Sequence, residues 1–343
     1  MINNFEILKK LRTGSLILLV FAWHVIHAQD LHFSTPFRAP LLLNPALTGA
    51  MPEDYRVVSA YKNQWASVGA PFKTIYASYD MHLLSTNDNN NGLDAGMSFF
   101  NDKAGKTSMG LTQLNLILSY KFQIKEVQFL SAGVQMGYVQ RSINYEGIKW
   151  DSQYNGVGYD PALPTGEMSL LQNNSYLDAG AGITWKYIPS KKFFAKLGGA
   201  MYHLTMANGS YLEAAEDQLN LKMVLHGEGE MVLNDQFAIL PQLVAFKKGA
   251  AFEVNAGSFL KYVTGERSKY TDAMIPSTIS VGCFYRYLDA VIASVLYEYR
   301  RILSIGISYD LNVSPLKVAS SSRGGIEITL QYRGFFEKGH IKL

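Results

Sequence analysis

The chain has 343 residues, 48% of them hydrophobic, 13% aromatic and only 17% charged, with 29 Gly, 21 Tyr, 18 Phe and a formal charge of +3. Aromatics and glycines with few charges favour strands over helices, and so small a net charge gives no reason to expect a nucleic-acid partner. The single cysteine, Cys283, excludes an internal disulfide, so an exported chain of this size needs another source of stability.

The N-terminus supplies the case for export. Lys9, Lys10 and Arg12 precede the apolar run Leu16 to Ala22, and the segment closes at Ala28. A basic start, a short apolar core and a small final residue make a secretory signal, and the run is too short for a transmembrane helix. Cleavage after Ala28 is expected, although Ile26 stands where a small residue is preferred. No cysteine lies near the cut, which argues against a lipid-anchored lipoprotein. Removing residues 1–28 takes away Lys9, Lys10, Arg12 and Glu6, which lowers the formal charge from +3 to +1.

Residues 29–53 are rich in Pro and read as an irregular lead segment, entering the base of the following domain or plugging its lumen. From residue 54 to 343 the pattern changes to short alternating runs punctuated by Gly, Asn, Asp and Ser. In 112–122, Leu114, Leu116, Leu118, Tyr120 and Phe122 share one face, and Gln113, Asn115, Ser119 and Lys121 share the other. In 176–187, Leu177, Ala179, Ala181, Ile183, Trp185 and Tyr187 oppose Asp178, Gly180, Gly182, Thr184 and Lys186. In 221–231, Leu221, Met223, Leu225 and Met231 oppose Lys222, His226, Glu228 and Glu230. In 302–311, Leu303, Ile305, Ile307, Tyr309 and Leu311 oppose Ser304, Gly306, Ser308 and Asp310, and 325–333 repeats the rhythm.

One face of each run is apolar, the other polar or glycine, and aromatics gather toward the ends. That is the two-residue repeat and aromatic girdle of a transmembrane barrel. Lipid cannot hydrogen-bond a bare backbone, so spanning strands must close on themselves. About fourteen strands are expected, at 54–65, 72–83, 92–101, 110–123, 126–140, 175–188, 192–204, 219–233, 236–247, 250–263, 277–288, 289–299, 301–312 and 324–335. The predicted fold is all-β, a transmembrane antiparallel β-barrel in the outer membrane, in contact with outer-membrane lipid. An even count returns both ends to the periplasm and puts the long connections 141–174, 205–218 and 313–323 outside. The turns Ile124–Lys125, Pro189–Lys191 and Asn234–Asp235 then fall inside. Two long connections, 84–91 and 264–276, break that rule, and Pro241 falls inside a strand run. A soluble sandwich would also alternate, but it would keep its second face charged, where this chain has much Gly, Ser and Asn.

Catalytic and metal signatures are weak. Two of the seven His lie in the signal, and His32, His82, His203, His226 and His340 show no metal spacing. Glu228 and Glu230 share a strand face and could be an acid/base pair; the plainer reading is lumen charge balanced by Lys222, Lys121, Lys186 or Arg286. Nucleophile-elbow, phosphate-loop and dinucleotide signatures are missing. No enzyme activity, cofactor or metal is expected.

The first fifty mature residues are more specific. Gln29-Asp30 is followed by Phe33-Ser34, then Leu43-Asn44-Pro45-Ala46 and Thr48-Gly49. Arg56 precedes Tyr61-Lys62-Asn63-Gln64-Trp65, and then come Pro71-Phe72 and Tyr79-Asp80. Toward the end stand Ser308-Tyr309-Asp310, Asn312, Ser314 and Gly324-Gly325-Ile326-Glu327. This string resembles the PorP/SprF family of type IX secretion system membrane proteins, over the whole mature chain in layout. Lys62 departs from it, since the family often has Arg there. The resemblance implies an outer-membrane barrel that supports secretion or gliding. It further implies partners: secreted proteins held at the surface through a C-terminal sorting domain, and a periplasmic peptidoglycan-binding protein or lipoprotein.

The motif residues Asn44, Pro45, Gly49, Arg56, Asn63, Trp65, Pro71, Asp80, Tyr309 and Asp310 are expected to serve structure or partner contact. Asn44-Pro45 and Thr48-Gly49 are turn chemistry. Arg56, Asn63 and Asp80 are expected to form a polar network inside the wall, and Trp65 suits an interfacial belt at the outer end of the first strand. Asn63 and Trp65 are also the candidates for cargo contact. The other reading of the whole chain is a fatty-acid-type or porin-type transport barrel. Phe259 and Phe284, facing the lumen, together with the lead segment, predict little conductance.

Overall fold

The computed structural model describes residues 33–66, 71–85, 91–105, 109–143, 149–164, 173–210, 217–264, 275–315 and 317–336. The signal segment, Gln29-Asp30, His32, His340 and much of the long connections lie outside the described residues.

Fourteen antiparallel strands close into one barrel, each paired with its sequence neighbours and β1 with β14. They are β1 (Tyr55–Gln64), β2 (Phe72–Ser85), β3 (Gly92–Ala104), β4 (Met109–Lys125), β5 (Gln128–Ser142), β6 (Asn173–Ser190), β7 (Phe193–Tyr202), β8 (Lys222–Val232), β9 (Phe237–Lys248), β10 (Ala251–Thr264), β11 (Ser277–Arg286), β12 (Ala290–Tyr299), β13 (Leu303–Asn312) and β14 (Arg323–Gly334). Closure leaves no edge, as a hydrocarbon surrounding demands.

The faces are those of a membrane protein. Outward Leu116, Leu225 and Val281 are 66%, 67% and 59% exposed, while inward Asp80, Asn115 and Glu327 are at most 1% exposed. A water-soluble sandwich would bury the first set and expose the second. Among the described residues no helix is long and apolar enough to cross a membrane, which leaves the strands to do so.

Departures from the expected boundaries have local causes. A register shift between Gln123 and Lys125 carries the β4–β5 ladder on to the pair Lys125–Gln128, so the turn is Glu126–Val127 rather than Ile124–Lys125. Ser190 pairs with Phe193, which moves the next turn to residues 191–192. Asn234 keeps its turn: its side-chain oxygen accepts from the Gln236 and Phe237 amides at 2.9 and 2.8 Å. Pro241 does lie within β9, facing outward. There the β8–β9 ladder skips from the pair Glu228–Gln242 to Met231–Ile239, because proline has no N–H to offer.

The lumen is not empty. Residues 33–53 fold into three helical turns, Pro36–Arg38, Pro40–Leu43 and Pro45–Leu47, and pack against the inner wall. Phe33 and Ala39 join Val58, Ala60, Tyr76 and Phe100 in one buried cluster. Leu43 and Leu47 join Ala200, Tyr202, Val224 and Val244 in a second, on the opposite side. A third cluster, Phe259, Phe284, Ile292 and Leu296, fills wall-facing space directly, with the two phenylalanine rings edge to face at 5.0 Å.

Candidate functional site: the plugged lumen and its distal vestibule

The plug is held by polar side chains that the strand parity turns inward. Glu327 of β14 takes three donors from the start of the segment: the Ser34 amide at 2.5 Å, the Thr35 amide at 3.3 Å and the Thr35 hydroxyl at 2.5 Å. Asn255 of β10 donates to the Ser34 carbonyl at 3.1 Å. Buried carboxylates are tolerated only with such partners.

Asn44 is the central fastening. Its Oδ1 accepts from the Ala46 amide at 2.8 Å and caps the Pro45–Leu47 turn. Its Nδ2 then faces the wall, 3.1 Å from the carbonyls of both Ile183 and Gly199 and 3.0 Å from Nε2 of His226. An amide nitrogen only donates, so Nε2 is the acceptor and the His226 proton sits on Nδ1. The wall makes room with glycine: a Cβ at Gly182 would lie 2.1 Å from Asn44 Oδ1, and one at Gly133 2.5 Å from the Pro45 carbonyl carbon.

The exit of the plug is fixed by Arg56 and Asp80. These two meet at 3.0 and 2.7 Å. Arg56 also donates to the Leu47 carbonyl at 3.1 Å, and Asp80 accepts from the Gly49 amide at 2.8 Å. Gly49 has φ +66°, and a Cβ there would lie 2.2 Å from Cγ of Asp94. Only glycine meets both conditions. Asp94 in turn pairs with His82 at 2.5 Å, and His82 reaches the Met51 carbonyl at 3.2 Å.

Asp310 sits inward on β13, 3.0 Å from Arg286 and 3.6 Å from Lys62. Tyr309, one residue earlier, faces outward and is 39% exposed.

The expected network therefore forms only in part. Arg56 and Asp80 are joined, but Asn63 is not with them. On β1 the even positions Arg56, Val58, Ala60 and Lys62 face the lumen, so Asn63 shares the outer face with Tyr61. Its buried Oδ1 has no hydrogen-bond partner among the described residues. Trp65 stands at the end of β1 as expected, yet its ring does not belong to a lipid-facing belt. Its backbone is left-handed at φ 58°, its amide donates to Gly324 at 2.8 Å, and its ring meets Phe72 edge to face at 5.2 Å. Pro71 is half-buried just before β2. Glu228 and Glu230 also find other partners than expected. Lys196, directly opposite across β7–β8, meets Glu228 at 2.7 Å, and Lys261 of β10 pairs with Glu230.

Asn255, Asp94 and Tyr202 (whose hydroxyl donates to the Leu42 carbonyl at 3.1 Å) hold the plug but were not singled out from the sequence, and His82 and His226 stood there only as histidines without metal spacing. The only signal in the sequence was their inward parity. Parity says which face a side chain takes, but not what stands opposite.

Beyond the plug, at the barrel end remote from the Tyr55–Gly334 pair, the lumen opens into a vestibule of about 850 Å³. Phe33, Pro36, Ala39, Leu42 and Leu43 of the plug form its floor. Trp65, Phe72, Phe100, Tyr176 and Phe246 line its sides, with Asp102, Asp178, His203, Arg141, Lys222 and Lys248 among them. Thr74 donates to Asp102 at 2.7 Å, and His203 is 2.9 Å from Asp178. The Lys222 ammonium lies over the rings of Tyr202 and Phe246, at 5.9 and 5.3 Å. Aromatic walls with a few oriented charges over a closed floor suit a ligand that enters and stops, rather than one that passes through. Among the described residues no cluster of His, Cys, Asp and Glu could hold a metal ion.

A closed, even-stranded antiparallel barrel, apolar outside and occupied by its own N-terminal segment, defines a plugged outer-membrane β-barrel protein. The chain belongs to the PorP/SprF family: the family of type IX secretion system membrane proteins PorP/SprF matches over residues 25–332. Membership places it with proteins that work alongside the secretion machinery. Solved structures give distant likenesses. The CymD monoaromatic hydrocarbon channel is 13% identical, with 91% of this chain and 96% of that chain covered and a TM-score of 0.49. The toluene transporter TodX of Pseudomonas putida is 12% identical, with coverages of 90% and 96% and a TM-score of 0.45. A FadL homologue of Pseudomonas aeruginosa is 10% identical, with coverages of 84% and 92% and a TM-score of 0.45. No curated protein matches the sequence.

Proposed function

We propose that this barrel anchors secreted proteins at the cell surface, taking the C-terminal sorting domain of its cargo at the distal vestibule. On this reading residues 1–28 are removed on export, residues 29–53 are the plug and residues 54–343 the barrel. The end that holds Tyr55 and Gly334 meets a periplasmic peptidoglycan-binding protein or lipoprotein, and the assembly serves secretion or gliding. The observation that carries the reading is the vestibule itself. It is about 850 Å³, floored by the plug and lined by aromatics and by charges of both signs. In barrels of this kind the end with the longer loops faces outward, and the connections 143–172 and 203–221 lie at the vestibule end. Aromatic anchors seated in a closed pocket with a polar rim are how protein partners are held. Trp65 and Pro71 stand at that mouth; Asn44, Pro45, Gly49, Arg56, Asp80 and Asp310 hold the structure behind it. Asn63 and Tyr309, on the outer face, contact lipid or a neighbouring barrel.

Deletion of the gene tests the reading: one or a few surface proteins should be lost from the cell and shed into the medium. Trp65→Ala should reproduce that loss while the barrel still assembles. Unchanged surface display in the deletion strain would refute anchoring. A transport barrel is separated from it by planar-bilayer recording, where a reproducible single-channel step from the intact protein would favour transport.

A further inference from the structure

The outer face of the wall is interrupted by an apolar hollow of about 510 Å³ across β5 to β9. Its floor is Gly199, Gly227 and Ala245, all at outward positions, and its rim includes Leu197, Leu225 and Leu243, each more than half exposed. The hollow lies directly behind the plug fastening. Ile183 and Gly199, the cross-strand pair whose carbonyls take the Asn44 amide, also line it. Glycines 182 and 198 thin the same stretch from the lumen side, where a Cβ would lie 2.1 Å from Asn44 and 2.4 Å from His226. The wall here is a bare backbone, with the plug on one side and membrane on the other.

What fills the outer side follows from depth and charge. Toward the barrel end that holds Tyr55 and Gly334, Trp185, which pairs with Leu197 and lines the hollow, stacks on Tyr187 at 5.8 Å with ring planes 5° apart, and Phe193 lies farther out beside the next turn. Phe193, at the start of β7, marks the aromatic girdle at the headgroup level. Just beyond it the end of β4 exposes Lys125 and the turn after β6 exposes Lys191 and Lys192, with Glu126 and Asp235 the acids at that rim. The balance there is cationic and suits a phosphate. Lys192 and Leu197 are five residues apart, roughly 16 Å along a strand. Half of a bilayer's hydrocarbon core is about 15 Å, so a chain hanging from a headgroup at the lysines ends in the hollow.

We propose that the hollow seats one acyl chain of a phospholipid from the leaflet on the side of the Tyr55–Gly334 pair, with its phosphate held by Lys191, Lys192 and Lys125. This bound lipid completes the packing of the wall segment to which Asn44 is fastened. It is independent of cargo binding at the distal end.

The full-length protein, reconstituted in nanodiscs of phosphatidylethanolamine and phosphatidylglycerol and released in mild detergent, is weighed by native mass spectrometry. The intact barrel should retain one phospholipid. Gly199→Leu should lower that occupancy by roughly tenfold or more by filling the space with its own methyls. The nearest atom to a Cβ there is Leu225 Cδ2 at 3.4 Å, an ordinary contact, and the heat-dependent gel shift of the variant checks that its barrel is folded. Lys191→Gln with Lys192→Gln should lower retention severalfold, and Val281→Leu on the far wall should leave it unchanged. Equal lipid retention by Gly199→Leu and the parent, or none by the parent, overturns the proposal. So does a dimer that Gly199→Leu abolishes, which would give the hollow to a second copy of the chain.

Discussion

Arg56 and Asp80 face each other directly across β1 and β2 and close a two-point ion pair at 3.0 and 2.7 Å, with Asp80 fully buried. Each also holds the plug, Arg56 through the Leu47 carbonyl and Asp80 through the Gly49 amide. The pair therefore joins the first hairpin of the barrel to the exit of the plug.

Removing one partner leaves the other charge buried and unpaired, which costs about 3–5 kcal/mol. Asp80→Ala should therefore destabilise the barrel more than Asp80→Asn, which keeps an acceptor for Gly49. The heat-dependent shift of the folded band on gels measures this, and the order should be parent, then Asn, then Ala. Equal stability of all three would show that the pair is not a fastening.

Gly49 and Gly105 separate backbone strain from crowding. Both have left-handed backbones, at φ +66° and +72°, but a Cβ at Gly105 meets nothing within 4 Å, while one at Gly49 lies 2.2 Å from Asp94 Cγ. Gly105→Ala should cost only the left-handed penalty of about 1–2 kcal/mol. Gly49→Ala should add displacement of Asp94 and its His82 partner, and lower the folding yield. Similar yields and melting points for the two variants would contradict this reading of the Gly49 site.

Most of the barrel was legible in the sequence, and the reason is physical. A strand between lipid and a polar lumen must alternate, so runs such as 112–122 announce both their extent and their faces. Phe259 and Phe284 fall on the lumen side as the register requires. What failed was of another kind. Asn63 was grouped with Arg56 by motif proximity, although seven residues of a two-residue repeat put them on opposite faces. The lysine partners of Glu228 and Glu230 depend on which strands close opposite one another, and no single run contains that. The hollow behind Asn44 is invisible for the same reason: Ile183, Gly199 and Gly227 come together only when β6, β7 and β8 are laid side by side.

Glu327 offers a direct reading of plug docking. Its carboxylate takes donors from the Ser34 amide, the Thr35 amide and the Thr35 hydroxyl. Glu327→Ala leaves three buried donors unmet, at about 1–3 kcal/mol each, whereas Glu327→Gln keeps one good acceptor. Hydrogen exchange should therefore show the Ser34 and Thr35 amides losing protection strongly in the Ala variant and mildly in the Gln variant. Amides in β13 should be unchanged in both. Unaltered protection at Ser34 and Thr35 would mean that the docking lies elsewhere.

The plug also makes an electrical prediction. In the intact chain the lumen is crossed by two apolar clusters that bind plug to wall, one through Phe33 and one through Leu43 and Leu47, and the Phe259–Phe284 pair occupies space beside them. No continuous watery path follows from that packing, so the intact barrel should show little conductance in planar bilayers. Removing residues 33–50 deletes both clusters' plug members and exposes the inward polar faces of β1, β4 and β6 to water, while Arg56–Asp80 stays in the wall. That variant should conduct in reproducible steps, with weak ion preference because Lys62, Arg286 and Lys196 oppose Asp310, Glu327 and Glu228. Asn44→Ala should lie between the two. It keeps the apolar contacts but loses the amide bonds to Ile183 and Gly199, so its plug should leave the lumen intermittently and give brief openings on a silent baseline. A silent plug-deleted barrel that is still folded would show that the wall side chains alone fill the lumen. The N-terminal segment would then be a fastening for the wall, with no part in sealing it.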